Sequence, residues 1–351
     1  MPIISCIKTR PTIRATDEHL GRIVRVLSNH ATMVVSGTKL AGEIGVSRSE
    51  VWRLVEQLRA LGVQIAGHPS TGYQLRAVPD LLLPEILDPL VKGTMFAGRI
   101  HHSFRIGSTN AAGMKAGQAD APEGTVFFAE EQTAGRGRGG HSWHSARSDG
   151  IYVSVLLRPP LSPADVLALS LMAGLATAAA VPEVTGLKPD LRWPNDLLLA
   201  REVPRENGVA LEERKFCGIL TELNAEATRV RFAVVGIGIN VNQQSFPPEL
   251  EHLATSLRIE SRRTWSRVQL AAALLKSLER EYRCAIGPGG REQLFRRFEE
   301  ASSYVRGRRV MVDEEGGYTG VTAGLDARGF LLVRGDDGRM HTVLSGGVRA
   351  I

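Results

Sequence analysis

The chain has 351 residues, 43% of them hydrophobic and 23% charged, which predicts two or three globular domains with ordinary apolar cores. No apolar run approaches the ~20 residues needed to cross a bilayer, and Met1–Arg10 lacks the apolar segment of a signal peptide. The sequence therefore predicts neither membrane insertion nor secretion.

The formal net charge of +6 is concentrated near the N-terminus. The first eighty residues carry ten Lys and Arg against six Asp and Glu, an excess typical of a domain that contacts a polyanion. The three cysteines, Cys6, Cys217 and Cys284, lie far apart and form no C-x-x-C pair. They indicate neither a disulfide framework nor a zinc site, and we expect a cytoplasmic location.

Three short amphipathic helices are predicted in the N-terminal domain, residues 1–80. Gly45 ends the second helix, and the capping box from Ser47 to Glu50 begins the third. The apolar positions that define the three helices are Leu20, Ile23, Val24 and Leu27, then Leu40 and Ile44, then Val51, Leu54, Val55 and Leu58. The short turn between the last two helices is typical of a helix-turn-helix motif.

The start of the third helix is where a recognition helix contacts DNA. The residues there that leave the apolar stripe are predicted to bind DNA: Ser47, Arg48, Ser49, Trp52 and Arg53. Val63–Ile65 and Gly72–Leu75 alternate as strands on either side of Pro69, which suggests a wing. The alternative is a three-helix module that binds another protein.

Pro79, Pro84 and Pro89 interrupt regular structure near residues 76–92, and a linker between the domains is expected at 81–92. The central domain, 93–300, mixes strands and helices and is assigned to the α+β (mixed α/β) class. Its predicted strands are Thr125–Ala129, Ile151–Leu157 and Val230–Val241, and its predicted helices are Pro163–Val181 and Trp265–Tyr282.

The densest motif is the glycine-rich segment at 132–143, Q-T-A-G-R-G-R-G-G-H-S-W. It satisfies G-x-G-x-x-G, but a polar stretch and a strand follow it where a dinucleotide-binding fold needs a helix. Backbone amides in such a loop can approach an anion, and Arg136 and Arg138 can neutralise phosphate charge. The alternative is that this segment is a flexible linker, but the presence of Trp143 argues against that interpretation.

Two other segments carry chemically distinctive residues. Arg192–Asp196, R-W-P-N-D, follows one predicted strand, and Lys215 stands directly before another. Lys215 is either a site residue or a solvated lysine at a strand edge. Neither a P-loop nor a zincin motif is present. No metal site is predicted, because the histidines of this domain are expected to be structural or exposed. They are His101, His102, His141 and His144.

The C-terminal domain, 301–351, consists of short alternating runs separated by glycine turns. The runs are Arg309–Val312, Tyr318–Val321, Phe330–Val333 and Met340–Val343, with turns at Gly316-Gly317, Asp336–Gly338 and Gly346-Gly347. They predict the hairpins of a small β-barrel.

In order and spacing, the motifs at about 95–245 resemble those of bacterial biotin–protein ligases, in particular the bifunctional type that also represses the biotin operon. The matching motifs are Ser108-Thr109-Asn110, Gln132, the G-R-G-R loop with Trp143, W-P-N-D, Lys215 with Gly218, and Gly236-Ile-Gly-Ile-Asn240. The resemblance implies a winged helix-turn-helix, a class II synthetase-like ligase core and an SH3-like C-terminal barrel.

The resemblance also implies residue roles. The polar head of biotin would be held by Ser108, Thr109, Asn110 and Gln132. Arg136, Gly137 and Arg138 would wrap the carboxylate and the phosphate, Lys215 would bridge the two, and Gly218 and Gly236 would leave room for ligand. Lys215 and Arg138 are thus the expected catalytic residues, and the remaining expected binding residues are Gly135, Trp143, Asn195, Asp196 and Asn240.

The implied reaction joins biotin and ATP, with Mg²⁺, into biotinyl-5′-AMP, and then passes biotin to a lysine of a biotin carboxyl carrier protein. Operator DNA and a ligand-promoted homodimer are the other expected partners. Alternatives are a ligase whose helix-turn-helix regulates nothing, a lipoate-type ligase, and a ligand-sensing transcription factor without ligase activity. The C-terminal domain is expected either to handle nucleotide and acceptor or to act as a structural cap.

Three departures from the family pattern stand out. His141 replaces a common arginine, which weakens a phosphate contact or makes it sensitive to pH. Arg192 replaces the usual lysine, which keeps the charge but changes its geometry. Arg201–Arg214 is longer than is typical and is predicted to form an exposed hairpin or loop that could touch the acceptor.

Overall fold

The computed structural model describes residues 13–30, 33–68, 71–77, 80–205, 208–314, 316–344 and 347–351. Cys6, Pro69, Pro79 and Gly346, which entered the predictions above, lie outside these ranges. The described residues form a mixed α+β structure with three sheets, of two, seven and five strands.

The helices and strands are numbered in chain order. The helices are α1 Ile13–Asn29, α2 Gly37–Ile44, α3 Arg48–Ala60, α4 Pro84–Leu90, α5 Thr109–Gln118, α6 Leu167–Thr185, α7 Leu257–Ser261, α8 Arg267–Ile286 and α9 Gly290–Ala301. The strands are β1 Ile65–His68, β2 Gly72–Leu75, β3 Ile100–Ser103, β4 Val126–Ala129, β5 Gly150–Leu157, β6 Asp190–Arg192, β7 Asp196–Arg205, β8 Gly208–Ala225, β9 Val230–Asn240, β10 Arg306–Val312, β11 Tyr318–Leu325, β12 Leu331–Gly335, β13 Met340–Val343 and β14 Val348–Ala350.

The N-terminal unit contains the three predicted helices and an antiparallel hairpin of β1 and β2. Gly45 ends α2 with a left-handed φ of 78°, and the Ser47 hydroxyl accepts from the amide of Glu50 at 3.2 Å. Only the serine half of the capping box is formed, because the Glu50 carboxylate accepts from Arg53 instead of from the amide of Ser47. The first wing strand was predicted too early: Val63 donates to the carbonyl of Leu58 behind α3, and β1 starts at Ile65.

The segment predicted as a linker, 81–92, is folded, and its leucines up to Leu87 are buried. It contains α4, and its apolar side chains divide between two cores. Leu81 and Leu83 pack into the N-terminal unit, whereas Leu82 and Leu87 pack into the central core. The predicted domain boundaries stay a prediction, but residues 81–92 join the two cores as a packed element.

The central sheet has the strand order β3-β4-β5-β9-β8-β7-β6, with β3 and β4 parallel and the other pairs antiparallel. Strand side chains alternate between its faces. Ile151, Val153 and Val155 point into the large core with α6, α8 and α9, whereas Leu156 packs towards α5. The α5 face also carries the site described below.

One helical stretch, Pro163–Thr185, is long and apolar enough to span a bilayer, with a mean hydropathy of 1.8. This corrects the expectation that no apolar run approaches that length. Most of the stretch is buried against the sheet and against α8. Burial of this kind is typical of the central helix of a protein core, which must be apolar on every side.

The C-terminal unit is an antiparallel sheet in the order β13-β12-β11-β10-β14. It contains the four predicted runs and one further strand, Val348–Ala350, which pairs with β10. Its core is continuous with that of the central domain. Trp193 donates its indole N–H to the carbonyl of Gly329 at 2.9 Å, which fastens the turn after β6 to this unit.

Candidate active site

A cleft on the α5 face of the central sheet brings together most of the predicted site residues. Twelve of the fifteen line it, and the other three are Gly135, Asp196 and Asn240. The space inside the cleft, including its open mouth, is about 460 Å³. Its residues come from segments that are more than one hundred positions apart in the chain, from Ser108 to Gly236.

The polar end of the cleft is built at the start of α5. Ser108 caps this helix, and Thr109 follows as its first residue. The Gln132 side-chain carbonyl accepts from the Thr109 amide at 2.8 Å and from its hydroxyl at 3.0 Å. The Gln132 amide donates to the hydroxyl of Ser145 at 3.0 Å. These groups offer both donors and acceptors, which suits a ligand with both kinds of polar group.

Asn110, the next residue of α5, is buried at this end, with 4% of it exposed. Its amide donates to the carboxylate of Glu222 at 2.9 Å and to the carbonyl of Leu220 at 3.2 Å. Its side-chain carbonyl accepts from the fully buried hydroxyl of Ser154 at 2.6 Å. A Cβ atom at Gly236 would lie 2.1 Å from that carbonyl oxygen, so glycine is required beneath Asn110.

The cationic end of the cleft is built on Asp196. Its carboxylate contacts the ammonium of Lys215 at 2.6 Å and the guanidinium of Arg192 at 2.6 Å. Burial alone would raise the pKa of Asp196, but the positive charges of Lys215 and Arg192 outweigh burial and lower it. Asp196 therefore stays ionised and holds Lys215 at the cleft.

Arg138 lies beside this pair. Its guanidinium donates to the side-chain carbonyl of Asn195 at 3.3 Å, and Asn195 in turn donates to the carbonyl of Ile219 at 3.0 Å. Burial lowers the pKa of Arg138, an effect that the charge of Asp196 opposes. An arginine remains protonated under such conditions, so Lys215 and Arg138 place two positive charges at one end of the cleft.

The glycine-rich loop folds back on itself above the sheet. The Gly137 amide donates to the carbonyl of His141 at 2.7 Å, and Trp143 donates to the carbonyl of Gly135 at 2.9 Å. Gly139 has a φ of 63°, in the left-handed region that favours glycine. The imidazole that replaces a common arginine, His141, is exposed.

Trp143 covers the floor of the cleft. A Cβ atom at Gly238 would lie 2.5 Å from the indole, and one at Gly218 would lie 2.8 Å from it. The Lys215 ammonium stands 5.4 Å from the centre of the indole ring, within the range of a cation–π contact. The glycines of β8 and β9 thus make the flat surface on which a planar group can lie.

The three predicted residues outside the cleft support its walls. Gly135 closes the base of the loop, where a Cβ would lie 2.7 Å from the Trp143 carbonyl. Asp196 holds Lys215, and buried Asn240 donates to the carbonyl of Thr255 at 3.0 Å. They shape the cleft without lining it.

Several polar or aromatic residues of this region were not predicted from the sequence, chiefly Tyr152, Ser154 and Glu222. The Tyr152 side chain lines the cleft and donates to the carbonyl of Ala146 at 2.8 Å. All three follow from strand alternation, because positions 152 and 154 share one face of β5, and 218 and 222 share one face of β8. That signal becomes usable only when the face bearing the site is known.

A buried ionic cluster lies at the base of the glycine-rich loop. Glu130, which is 0% exposed, accepts from the guanidinium of Arg267 at 2.7 Å, and the other groups that donate to it are the Leu82 amide, the His102 ring and the Ser148 hydroxyl. Burial by itself would raise the pKa of Glu130, but the charge of Arg267 and the bonds from the His102 ring and the Leu82 amide together outweigh burial, and the pKa falls to about 2. Arg267 also pairs with Asp80, so the cluster joins the central core to the segment behind the N-terminal unit.

The predicted DNA-binding residues lie together at the start of α3. Ser47, Arg48, Ser49 and Trp52 are exposed, Trp52 by 59%. Arg53 is half-buried, and its guanidinium donates hydrogen bonds to the carboxylate of Glu50. An apolar surface residue between basic side chains, on a helix with its opposite face buried, is compatible with contact to a groove of DNA.

The stretch from Arg201 to Arg214 forms a hairpin in its described residues, as β7 and β8 pair along their length. Glu213 near its end accepts from the hydroxyl of Tyr304 at 2.6 Å and from Arg308 at 2.5 Å. The hairpin is thereby fastened to the C-terminal unit.

No group of three His, Cys, Asp or Glu side chains that could hold a metal ion occurs within the described ranges.

Two family models match the chain. The biotin/lipoate A/B protein ligase family matches residues 104–240, and a helix-turn-helix (HTH) domain matches residues 20–74. The first match includes both ends of the cleft, and the second includes α3 with the predicted DNA-binding residues. These matches agree with the two units that carry the polar cleft and the exposed helix face.

Individual proteins agree with the family models. The chain is 36% identical to the bifunctional ligase/repressor BirA of Bacillus subtilis over 264 residues, 74% of this chain and 77% of that protein. It is 28% identical to the protein of the same name from Escherichia coli, over 86% of this chain and 88% of that one. Among solved structures, the biotin protein ligase of Aquifex aeolicus in complex with biotin and ATP matches with a TM-score of 0.59 and 28% identity, over 72% of this chain and 100% of that one.

Proposed function

We infer that this chain, which belongs to the bifunctional ligase/repressor family of biotin–protein ligases, uses the cleft to activate biotin with ATP and to transfer it to a lysine of a carrier protein. The observation that carries this proposal is the pairing of a polar end with a dicationic end in one cleft. The polar end offers donors and acceptors from Thr109, Asn110 and Gln132, and the other end places Lys215 and Arg138 side by side.

The first step joins the biotin carboxylate to the α-phosphorus of ATP and releases pyrophosphate. Two anionic reactants meet at one phosphorus, so positive charge fixed there lowers the barrier. Lys215 supplies that charge when it leaves Asp196 for the ligand, and Arg138 does so from its place against Asn195. The glycines of β8 and β9 let the Trp143 indole lie flat against the sheet between the two ends.

The second step is attack by the acceptor lysine amine on the acyl carbon of biotinyl-5′-AMP, which forms the amide and releases AMP. No nucleophile of this chain enters the reaction. Its residues retain the adenylate and keep water from it, a task that fits the glycine-rich loop and the Trp143 indole above the cleft.

Mg²⁺ belongs to the proposal as part of the ATP substrate. Within the described residues no cluster of metal-ligating side chains exists, and the Asp196 carboxylate is already paired with two cations. Such surroundings suit an ion held mainly by the substrate phosphates. Bound there, Mg²⁺ would neutralise phosphate charge.

The finer assignments belong to the same proposal. The individual site residues have the roles that the family resemblance implies, and the C-terminal sheet closes as an SH3-like barrel on a class II synthetase-like core. The acceptor is a biotin carboxyl carrier protein, and the chain works in the cytoplasm. The N-terminal unit binds operator DNA as a homodimer that the adenylate promotes, since a two-fold operator needs two recognition helices.

The ligase is tested by biotin-dependent exchange of labelled pyrophosphate into ATP, followed by transfer to a purified carrier domain. We expect both activities with biotin and neither with lipoate. Exchange with lipoate alone would replace the proposal with a lipoate-type ligase. Binding of biotin without exchange would replace it with a ligand-sensing transcription factor.

The repressor is tested by fluorescence anisotropy on labelled DNA from the biotin-synthesis promoter at moderate salt. Moderate salt suppresses non-specific phosphate contacts. We expect binding only when biotin and ATP are present together, because the adenylate is the corepressor. Carrier biotinylation without DNA binding under any condition would leave a ligase whose helix-turn-helix regulates nothing.

A further inference from the structure

A continuous chain of hydrogen bonds runs beneath the glycine-rich loop and meets the loop at both ends. At one end Arg136 contacts the carboxylate of Glu222 at 3.2 Å, and the same carboxylate accepts from Asn110 at 2.9 Å. At the other end the hydroxyl of Ser145 donates to the carbonyl of Trp143 at 3.2 Å. Between them the chain passes through Ser154, Thr109 and Gln132.

The direction of this chain is fixed at Glu222 and variable in the middle. An ionised carboxylate can only accept, so Asn110 must turn its amide to Glu222 and its carbonyl to Ser154. The Ser154 hydroxyl has one hydrogen, yet it lies within 2.7 Å of both the Asn110 carbonyl and the Thr109 hydroxyl. Glu222 and the Leu220 carbonyl, which also accepts from this amide at 3.2 Å, therefore together fix which face of Asn110 is presented to the cleft.

Glu222 also holds the loop from below. It follows Gly218 and Leu220 on one face of β8, so its carboxylate lies at the edge of the same floor on which Trp143 rests. The Arg136 side chain is 49% exposed, whereas that of Glu222 is 27% exposed. An exposed ion pair alone contributes little, but this carboxylate carries a second bond to buried Asn110, which fixes its position.

We propose that Glu222 is a positioning residue that couples recognition of the polar head of the substrate at Asn110 to closure of the glycine-rich loop through Arg136. This inference rests on the proposed function for its kinetic consequence. Loss of the charge releases Arg136 and weakens one of the two acceptors that hold the Asn110 amide, so the head group and the loop lose their shared anchor. The reacting end at Lys215 and Arg138 contacts neither residue and keeps its geometry.

The test compares E222Q with E226Q in the full chain. Glu226 stands one residue beyond the end of β8, is exposed and pairs only locally with Arg229, which makes it a matched control. We expect E222Q to raise the KM for biotin about tenfold and to release the adenylate about tenfold faster, with kcat unchanged. E226Q should match the unmodified protein. A fall in kcat with KM unchanged, or equal behaviour of the two variants, would overturn the proposal.

A double-mutant cycle tests whether Glu222 acts through Arg136. We expect R136Q to reduce biotin affinity by itself and the addition of E222Q to change the rate of adenylate release little further. A full additional effect of E222Q in the R136Q background would contradict the coupling. E222D keeps the charge but withdraws it by one methylene, so it should fall between E222Q and the unmodified protein.

Limited digestion with trypsin provides a readout that needs no ligase activity. Trypsin cuts after Arg136 and Arg138, so its rate measures how firmly the loop is held. We expect these bonds in E222Q to be cut several times faster than in E226Q, with no ligand present. Equal rates would overturn the positioning role even in an active ligase, and faster cutting in a protein without biotin-dependent exchange would keep it while the proposed function failed.

Discussion

The start of α3 and the central cleft both contain several basic side chains, but the two regions differ in how those side chains are paired. On α3, Arg48 is exposed in the first turn of the helix, near the exposed Trp52. In the cleft, Lys215 is paired with Asp196 and Arg138 is bonded to Asn195. The helix presents its charge to a large anion in solvent, whereas the cleft balances its charge internally until a small anion enters.

This difference has a physical reason. A cation in solvent needs no partner, because water screens and hydrates it. A half-buried cation without a partner loses hydration and destabilises the fold, so each one here has a protein acceptor. The domains that carry the two regions are connected at the buried cluster of Glu130 and Arg267, where the base of the glycine-rich loop contacts Asp80 and Leu82 behind the N-terminal unit.

The largest effect is expected when that connection is broken. E130Q leaves the charge of Arg267 without an ionised partner inside the protein, so we expect the free energy of unfolding at pH 7 to fall by about 3–5 kcal/mol. Urea unfolding measures it. The control is E131Q, whose carboxylate pairs with Arg105 and Arg147 near the surface, and should cost less than about 1 kcal/mol. Equal losses in the two variants would contradict a special role for the cluster.

The same variant tests the pH dependence. The pKa of Glu130 is lowered to about 2 in the folded protein, so the unfolded chain binds its proton first as the pH falls. The ionised carboxylate therefore stabilises the fold fully above about pH 4.5, and this contribution is lost as the pH falls towards 2. We expect E130Q to lack that part of the pH slope. A slope identical to that of the unmodified protein would place the titrating group elsewhere.

Removal of one charge from the cleft should impair catalysis and leave DNA binding unchanged. K215M is expected to slow biotin-dependent pyrophosphate exchange about 10²–10³-fold, because a fixed cation at the reacting phosphate is lost. Binding to non-specific DNA at low salt should stay the same, since α3 is untouched. K188M, which removes an exposed lysine before β6, serves as the control. Exchange at the normal rate in K215M would exclude Lys215 from the reaction.

Closing the space beneath Asn110 should weaken the head-group end alone. G236A places a methyl group where the Asn110 carbonyl stands, 2.1 Å away, and we expect the KM for biotin to rise about 10–100-fold. The KM for ATP should change much less. G42A adds the same methyl group in α2, where no atom lies within 4 Å, and should leave both constants unaltered. Unchanged biotin kinetics in G236A would show that Asn110 is not needed.

The smallest effect is expected on α3. R48Q removes one exposed charge, so affinity for the biotin-synthesis promoter should fall about tenfold at moderate salt. Pyrophosphate exchange should keep its rate. R229Q removes an arginine from the central domain and should leave DNA affinity intact. If R48Q altered exchange and not DNA binding, the distinction between the two regions would be wrong.

The helices of the N-terminal unit and the central strands β4, β5 and β9 were predictable because their sequence patterns are local, whereas β8, predicted to begin after Lys215, begins at Gly208. The stripe from Leu20 to Leu27 and the cap at Ser47 need only neighbouring residues, and both are present in the structure. The errors occurred where tertiary contacts overrule local signals. The prolines of 81–92 suggested a linker, yet the leucines between them are buried by two cores.

Of the site, the sequence by itself determined the motifs and, through their resemblance to biotin–protein ligases, the residues worth testing. Ser108, Gln132, Arg138 and Lys215 were identified without coordinates, and they line one cleft. Only the tertiary structure decided which neighbours hold them. Glu222 reaches Arg136 across the sheet and Glu130 reaches Arg267 across two elements, because strand alternation fixes the face of a residue, but only packing fixes what that face meets.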